Sequence, residues 1–438
     1  MDPITIGLSS IFILVILILI GVHVGVSLAL MSVIGIWAVR GNIDIAVNLL
    51  GSTAYRAVMD YVFAVVPLFV LMGLLASRSG ATRDLFNAAQ VLLRGVRGGL
   101  GITTVIANAV FAAITGVSVA SAAVFSQIAL PEMERLHYDR RFSLGIVAGS
   151  ALLGMLIPPS VLMIVYGVLT EQSIGRLFLG GVVPGFIVTV ILSTGIWFMV
   201  FLRPERGGAM EQRQPIEFST MVRTALKPWG VYLLILLVLG GIYGGFFTPT
   251  EAGAIGAAGA LLLVIATGNF TWSNIKEVLL EVGHTTASIF LLLIAAQMYS
   301  RMLTLTGLAS EFSAWAAGLP VAPLTIIIGF VVVFVLLGMV LDSVSIMLLT
   351  VPVMFPVVTQ LGFDPIWFGI ILIVSVEIGL LTPPFGMVIF AMKSALGDTV
   401  EIEDIFIGAL PFLAMLFLAL AILISYPPFV TWLAYQTF

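Results

Sequence analysis

An all-α polytopic membrane fold, assembled from two inverted repeats that each carry a re-entrant helical hairpin and a broken helix, is the architecture this sequence predicts. Three observations lead there: an extreme apolar composition, membrane-length apolar runs along the whole chain, and interruptions that recur in the same order in both halves. Of 438 residues, 61% are hydrophobic and 9% charged, with a mean hydropathy of +1.20. Soluble domains carry about 25% charged residues, so the solvent for most of this surface is lipid. The chain has no cysteine, which excludes disulfides, thiolate catalysis and Cys-based metal sites. After Met1-Asp2-Pro3 it turns apolar without a basic leader or a small-residue cleavage site, so the first apolar run is expected to stay in the membrane.

A crossing needs about 20 apolar residues. Runs between polar breaks predict spans near 4–20, 22–39, 62–78, 142–170, 178–202, 223–245, 252–267, 284–303, 365–394 and 405–428. Two further runs, 99–131 and 322–358, are too long for one crossing and are broken at their centres, by Thr115-Gly116 and by Gly338 with Asp342. Each is expected to be a hairpin that enters and leaves by the same face. Stretches 44–60, 84–97, 272–283 and 308–318 mix apolar and polar residues at helical spacing, as interfacial helices do. The soluble-looking linker is 203–222.

The halves on either side of that linker match. Pro67-Leu-Phe-Val-Leu-Met-Gly resembles Ser288-Ile-Phe-Leu-Leu-Leu-Ile, and the hairpin broken at Gly116 answers the one broken at Gly338. Ser150-Ala-Leu-Leu-Gly-Met-Leu-Ile-Pro-Pro answers Ser375-Val-Glu-Ile-Gly-Leu-Leu-Thr-Pro-Pro, and Leu177-Phe-Leu-Gly-Gly-Val-Val-Pro answers Asp404-Ile-Phe-Ile-Gly-Ala-Leu-Pro. Shared apolar composition produces one such match by chance; four in register argue for duplication. Lys and Arg concentrate in cytoplasmic loops. Placing 203–222 inside leaves fourteen basic residues inside and four, Arg40, Arg56, Arg176 and Arg301, outside. Span 62–78 then runs inward and its copy 284–303 outward, so the repeats are inverted. Inverted repeats with interrupted helices at corresponding positions point to a secondary transporter with its site near the bilayer midplane.

Irregular backbone at membrane depth leaves N–H and C=O groups unpaired unless protein, water or an ion satisfies them. There are four breaks: Thr115-Gly-Val-Ser-Val-Ala-Ser121, Gly154-Met-Leu-Ile-Pro-Pro-Ser160, Gly338-Met-Val-Leu-Asp-Ser-Val-Ser345 and Gly379-Leu-Leu-Thr-Pro-Pro-Phe-Gly386. Paired prolines remove two donors and disfavour helix in the residue before them, releasing carbonyls near 154–157 and 379–382. Those carbonyls, with the hydroxyls of Thr115, Ser118 and Thr382, suit a hard cation such as Na⁺, while half-helix N-termini favour an anionic carboxylate. A lone Pro-Pro pair reads as a kink; two at corresponding positions, each matched by a Gly/Ser-rich hairpin tip, read as sites. Small residues there, Gly116 and Gly154 among them, also allow close packing.

Asp342 and Glu377 are acids at predicted membrane depth, where an ionisable group is a functional candidate. Asp342 either caps the second half of hairpin 322–358 or serves a cation or coupling role; Glu377 is functional, pairs with a basic group, or faces water. His23, His137 and His284 show no ligand spacing, and Arg301 reads as a snorkelling arginine or a contact to substrate anion. No phosphate loop and no soluble domain to hold one are present, so coupling is expected from an ion gradient rather than a nucleotide. No motif marks an intramembrane enzyme. A stand-alone sodium–dicarboxylate symporter or ion antiporter of similar architecture fits the same breaks; a channel calls for a continuous polar stripe, and none is evident.

These residues resemble the large membrane subunit (DctM-like, M subunit) of the tripartite ATP-independent periplasmic (TRAP) transporters over almost the whole chain. The specific features are Phe247-Thr-Pro-Thr-Glu-Ala-Gly-Ala, Leu156-Ile-Pro-Pro-Ser, and Leu381-Thr-Pro-Pro-Phe-Gly with the preceding Gly-Met-Val-Leu-Asp. The resemblance implies an elevator-type transporter, scaffold plus transport domain, in the bacterial inner membrane. It implies a small four-helix membrane subunit and a periplasmic solute-binding protein as partners, and uptake of a carboxylate such as sialic acid or a C4-dicarboxylate, driven by at least two Na⁺. One sodium site is implied at Thr115, Ser118, Gly154, Ile157 and Pro159, a second at Gly338, Gly379, Thr382 and Phe385. Ser118, Ser121, Asp342, Ser343 and Ser345 are implied to face substrate. The family commonly has Ser-Gly-Ser-Ser at the first tip, whereas this chain has Thr115-Gly116-Val117-Ser118, without a hydroxyl at 117. Scaffold helices and interfacial arms then occupy 1–61 and 223–283, the repeats proper 62–202 and 284–438, and the cytoplasmic linker 203–222.

Overall fold

A computed structural model of the chain describes residues 2–59, 61–208 and 217–436. Every regular element among them is a helix. Among the described residues, seven helical stretches are long and apolar enough to cross a membrane: Tyr61–Arg78, Arg140–Thr170, Ile174–Leu202, Pro249–Ala266, Trp272–Thr306, Ser343–Gln360 and Ile402–Ser425. Shorter apolar helices, Pro3–Leu19, Val24–Arg40, Gly99–Thr115, Pro323–Gly338 and Pro365–Gly379, supply the remaining apolar runs.

Both hairpins form where the runs are interrupted. Gly99–Thr115 passes through Gly116 and Val117 into Ser118–Arg135, and Pro323–Gly338 passes through 339–342 into Ser343–Gln360. Both predicted broken helices are broken. Arg140–Ala151 and the turn Leu153–Leu156 give way to Val161–Thr170, and Pro365–Gly379 resumes as Met387–Leu396. These broken helices are the most enclosed parts of the bundle, with every residue from Ile366 to Gly379 buried. A run apolar on all sides buries all sides, and this encloses the first break, 154–160, within the bundle, whereas Pro383, Pro384 and Phe385 of the other break are exposed.

The structure departs from the sequence reading at three places. The expected interfacial stretch 272–283 and span 284–303 form one helix, Trp272–Thr306, of 35 residues. Polar residues such as Glu281 and His284 interrupt an apolar pattern without interrupting backbone hydrogen bonds, so a composition break was read as a structural one. At 1.5 Å per residue it is about 52 Å long, well beyond the hydrocarbon core. The boundary drawn between 283 and 284 therefore falls inside a helix. Secondly, span 223–245 is two helices, Phe218–Leu226 and Trp229–Tyr243, bent by 50° where Pro228 cannot continue the first. The linker accordingly turns helical at Phe218, while residues 209–216 lie outside the described residues. Thirdly, 405–428 ends as Ile402–Ser425, and a separate short helix Pro428–Ala434 follows.

Packing sorts the loops onto two ends. Arg78 pairs with Glu277 at 3.2 Å, Lys227 with Asp84 at 2.7 Å, and Asn269 donates to the Ser79 carbonyl at 2.8 Å. Gln90 reaches Glu132 at 3.3 Å and shares a hollow with Tyr138 and Gly207. Arg141, Arg203 and Arg206 line a neighbouring hollow. At the opposite end Tyr61, Gln172, Gly245 and Thr248 meet, and Arg176 lies over the Tyr435 ring at 5.2 Å. Basic residues assigned to the inner side by charge thus collect at one end. Glu205 is exposed there, whereas Asn42 is exposed in the loop following Arg40. In this cysteine-free chain, an impermeant thiol reagent added to intact cells is expected to label Asn42→Cys and to leave Glu205→Cys unlabelled until the membrane is opened. Labelling of Glu205→Cys from outside reverses the orientation.

Candidate functional site

The first break is a hairpin tip seated in a helix gap. Gly116 closes its helix at φ +64°, a conformation L side chains rarely adopt, and a Cβ there would lie 2.5 Å from the Pro159 carbonyl oxygen. Across the gap, a Cβ on Gly154 would sit 2.8 Å from Ser118 Cα and 2.9 Å from its nitrogen. Ile157 is extended (φ −82°, ψ 127°), and a cis peptide joins Pro158 to Pro159. Ser160 restarts the helix by accepting from the Met163 amide at 3.4 Å while donating to the Met155 carbonyl at 2.5 Å.

The second break repeats this construction. Gly338 and Gly379 interlock backbone to backbone, a Cβ on either lying 2.6–2.7 Å from the other's Cα. Asp342 caps the second hairpin arm, accepting from the Ser345 amide at 3.0 Å, so the capping alternative holds for this residue. Thr382 donates from its backbone to Gly379 O at 2.9 Å and from its hydroxyl to Ile378 O at 2.8 Å. A cis peptide joins Pro383 to Pro384, and Gly386 at φ +59° precedes the next helix. Phe385, expected at the second sodium site, is 53% exposed.

Side chains cross between the two breaks. Ser118 donates to Glu377 Oε2 at 2.5 Å, and Ser343 reaches the Met155 sulfur at 3.6 Å. Glu377 is 2% exposed and its Oε1 has no hydrogen-bond partner. It neither pairs with a basic group nor faces water, as two of the readings of the sequence had it. Beside the breaks lies a cleft of about 300 Å³ whose walls include Thr115, Val117, Met155, Asp342, Ser343 and, from the long helix, Glu281 and Thr285. Of its lining residues, Ser77 adjoins Arg78 and Glu281 lies one helical turn from Glu277, the two partners of the ion pair described above. Among the described residues that line it, no side chain is basic.

The chain matches the family model of the tripartite ATP-independent periplasmic transporter, DctM component, over residues 11–429. It is 35% identical to the C4-dicarboxylate TRAP transporter large permease protein DctM of Pseudomonas aeruginosa, with 85% of each protein covered. It is 30% identical to the sialic acid TRAP transporter large permease protein SiaM of Vibrio cholerae, covering 87% of this chain and 88% of that one. This chain belongs to the DctM family of TRAP transporters. It is accordingly a multi-pass protein of the bacterial inner membrane. In fold it also resembles the solved Alcanivorax borkumensis YdaH transporter, with a TM-score of 0.62 over 87% of this chain and 88% of that one at 17% identity.

Several residues of this DctM protein have the chemistry a hard cation takes. The Thr115 hydroxyl donates to Phe111 O at 3.1 Å, Thr382 to Ile378 O and Ser118 to Glu377. Each hydroxyl proton is thus turned toward a protein acceptor, and the oxygen lone pairs are left for a cation. The glycines at the breaks keep backbone carbonyls within reach by excluding a Cβ. Of the residues expected at the first sodium site, the structure brings Thr115, Ser118, Gly154, Ile157 and Pro159 around one tip. Gly338, Gly379 and Thr382 gather at the other.

The residues expected to face substrate divide. Asp342 and Ser343 line the cleft; Ser118, Ser121 and Ser345 are buried and are not among its lining residues. Sequence reading missed Glu281 and Thr285. Their signal was present, because 281, 285 and 289 share a helix face at i, i+4 spacing, yet the segment was read as ending at 283. The Phe247-Thr-Pro-Thr-Glu motif also gains a physical explanation. Thr248 accepts from the Glu251 amide at 3.3 Å, Glu251 accepts from the Thr248 amide at 2.8 Å, and Pro249 opens the helix. This is a capping box.

Proposed function

We propose that this DctM protein carries a small organic carboxylate inward together with Na⁺, through an elevator movement of two inverted repeats, on substrate delivered by a periplasmic solute-binding protein and with a small four-helix membrane subunit beside it. The observation that carries the reading is an acid-lined, base-free cleft set against two oxygen-rich backbone breaks. Burying an organic anion near Glu281 and Asp342 without a counter-charge is unfavourable. Cations held at the breaks supply that counter-charge, so the anion binds well only when sodium is present. Two ligands that raise each other's affinity in this way are thermodynamically coupled, and the coupling is reciprocal.

Helix N-termini contribute as well. Ser118 and Ser343 begin helices whose first amides lack intrahelical partners, and such ends favour an anion. The matching order of hairpin and broken helix in each half, together with the one-ended basic loops, supports inversion of the repeats. The names of the relatives, a C4-dicarboxylate and a sialic acid permease, support the carboxylate class. The tripartite description of the family supports two partner components.

In proteoliposomes containing the assembled system, an imposed inward Na⁺ gradient is expected to drive uptake without ATP inside or out. Equal uptake with choline replacing Na⁺ on both sides removes sodium from the mechanism.

A further inference from the structure

We propose that Glu377 is a positioning residue that ties the two breaks together, so that cation occupancy at the first is felt at the second. The inference rests on the sodium reading above. Ser118 opens its helix against the Gly154 backbone, and its hydroxyl is held by Glu377 at 2.5 Å. Glu377 lies two residues before Gly379 on Pro365–Gly379, and Gly379 interlocks with Gly338. One side-chain hydrogen bond therefore joins the tip of the first hairpin to the helix end that forms the second break. The order of contact is Gly154, Ser118, Glu377, Gly379, Gly338.

The bond does two things. It points the Ser118 proton away from the first break, presenting oxygen to a cation rather than hydrogen. It also makes the Ser118 position depend on a helix that ends at the other break. A displacement of either tip is passed to the other through a rigid helix of fewer than four residues' length between the contacts.

Packing alone does not require an acid there. When the two halves are aligned on Ser150 and Ser375, the residue opposite Glu377 is Leu152, which is 3% exposed and fills the equivalent interior position with hydrocarbon. A carboxyl with one unpartnered oxygen at membrane depth is a costly choice over leucine. The salt bridges of the described residues include none to Glu377.

The test is a sodium titration of the purified membrane complex at constant ionic strength, with choline as the balancing ion, read by intrinsic tryptophan fluorescence. The wild type is expected to bind Na⁺ with a Hill coefficient above one. Glu377→Gln keeps an acceptor for Ser118, so its midpoint should stay within about threefold of wild type. Glu377→Leu removes the acceptor, and its midpoint should rise about tenfold with the Hill coefficient falling toward one. Ser118→Ala breaks the same bond from the other side, and adding Glu377→Leu to it should cause little further change, because residues acting through one interaction are not additive. Additive effects in the double variant, a noncooperative wild type, or an unshifted Glu377→Leu each overturn the coupling role. A wild type with no sodium response at all instead overturns the sodium reading on which it rests.

Discussion

Gly154→Ala is expected to abolish most sodium-driven uptake, lowering the initial rate by at least about tenfold at matched membrane expression. The added methyl would lie 2.8–2.9 Å from three backbone atoms of Val117 and Ser118, closer than any real Cβ contact. None of those atoms is the movable end of a side chain, so the hairpin tip itself must shift. Overpacking of this kind costs about 1–3 kcal/mol, and a tip displaced by a few tenths of an ångström no longer holds its hydroxyl and carbonyls around a common point. Gly379→Ala, which meets Gly338 and the Val335 carbonyl, is expected to act in the same way at the other break. Gly329→Ala is the control, since nothing lies within 4 Å of its added methyl. Uptake assays on the three variants decide the matter, and near-normal transport by Gly154→Ala would show that the tip and the gap are not a functional pair.

Thr382→Val and Ser118→Ala are each expected to raise the Na⁺ concentration for half-maximal uptake, by about tenfold to a hundredfold. On the proposed sodium reading, the change removes an oxygen from a partly desolvated cation, a loss on the order of 1–3 kcal/mol. The two breaks differ here. Thr382 directly precedes its proline pair and offers a hydroxyl as well as a carbonyl, whereas the corresponding Ile157 offers a carbonyl alone, so the proposed first site draws on the hydroxyls of Thr115 and Ser118. Ile157→Val leaves the backbone oxygen in place and should shift the sodium dependence weakly. Equal damage from Ile157→Val and Thr382→Val, measured as uptake against Na⁺, would mean that these positions matter for packing rather than for their oxygens. Ser118→Ala has a second consequence, since it also leaves Glu377 without its hydrogen-bond donor.

The sequence by itself determined that the chain lives in a membrane, which family it belongs to and where its helices break. Those properties are local. A run of apolar residues sets its own solvent, a proline pair removes its own amides, and Gly116, Gly338 and Asp342 interrupt or cap the helix in which they stand. Where local cues were ambiguous the reading slipped: polar residues at 281 and 284 looked like an end to the interfacial stretch, yet the backbone of Trp272–Thr306 runs through them unbroken. Only the tertiary structure decided what each break faces. Ser118 and Glu377 are 259 positions apart, and no periodicity links them. Gly338 meets Gly379, and Glu281 turns into the cleft, because helices from both halves converge at the centre of the bundle. Burial on every side left the broken helices without an amphipathic pattern, so their sequence could not show which face looks inward; the packing of the two halves against each other chose it.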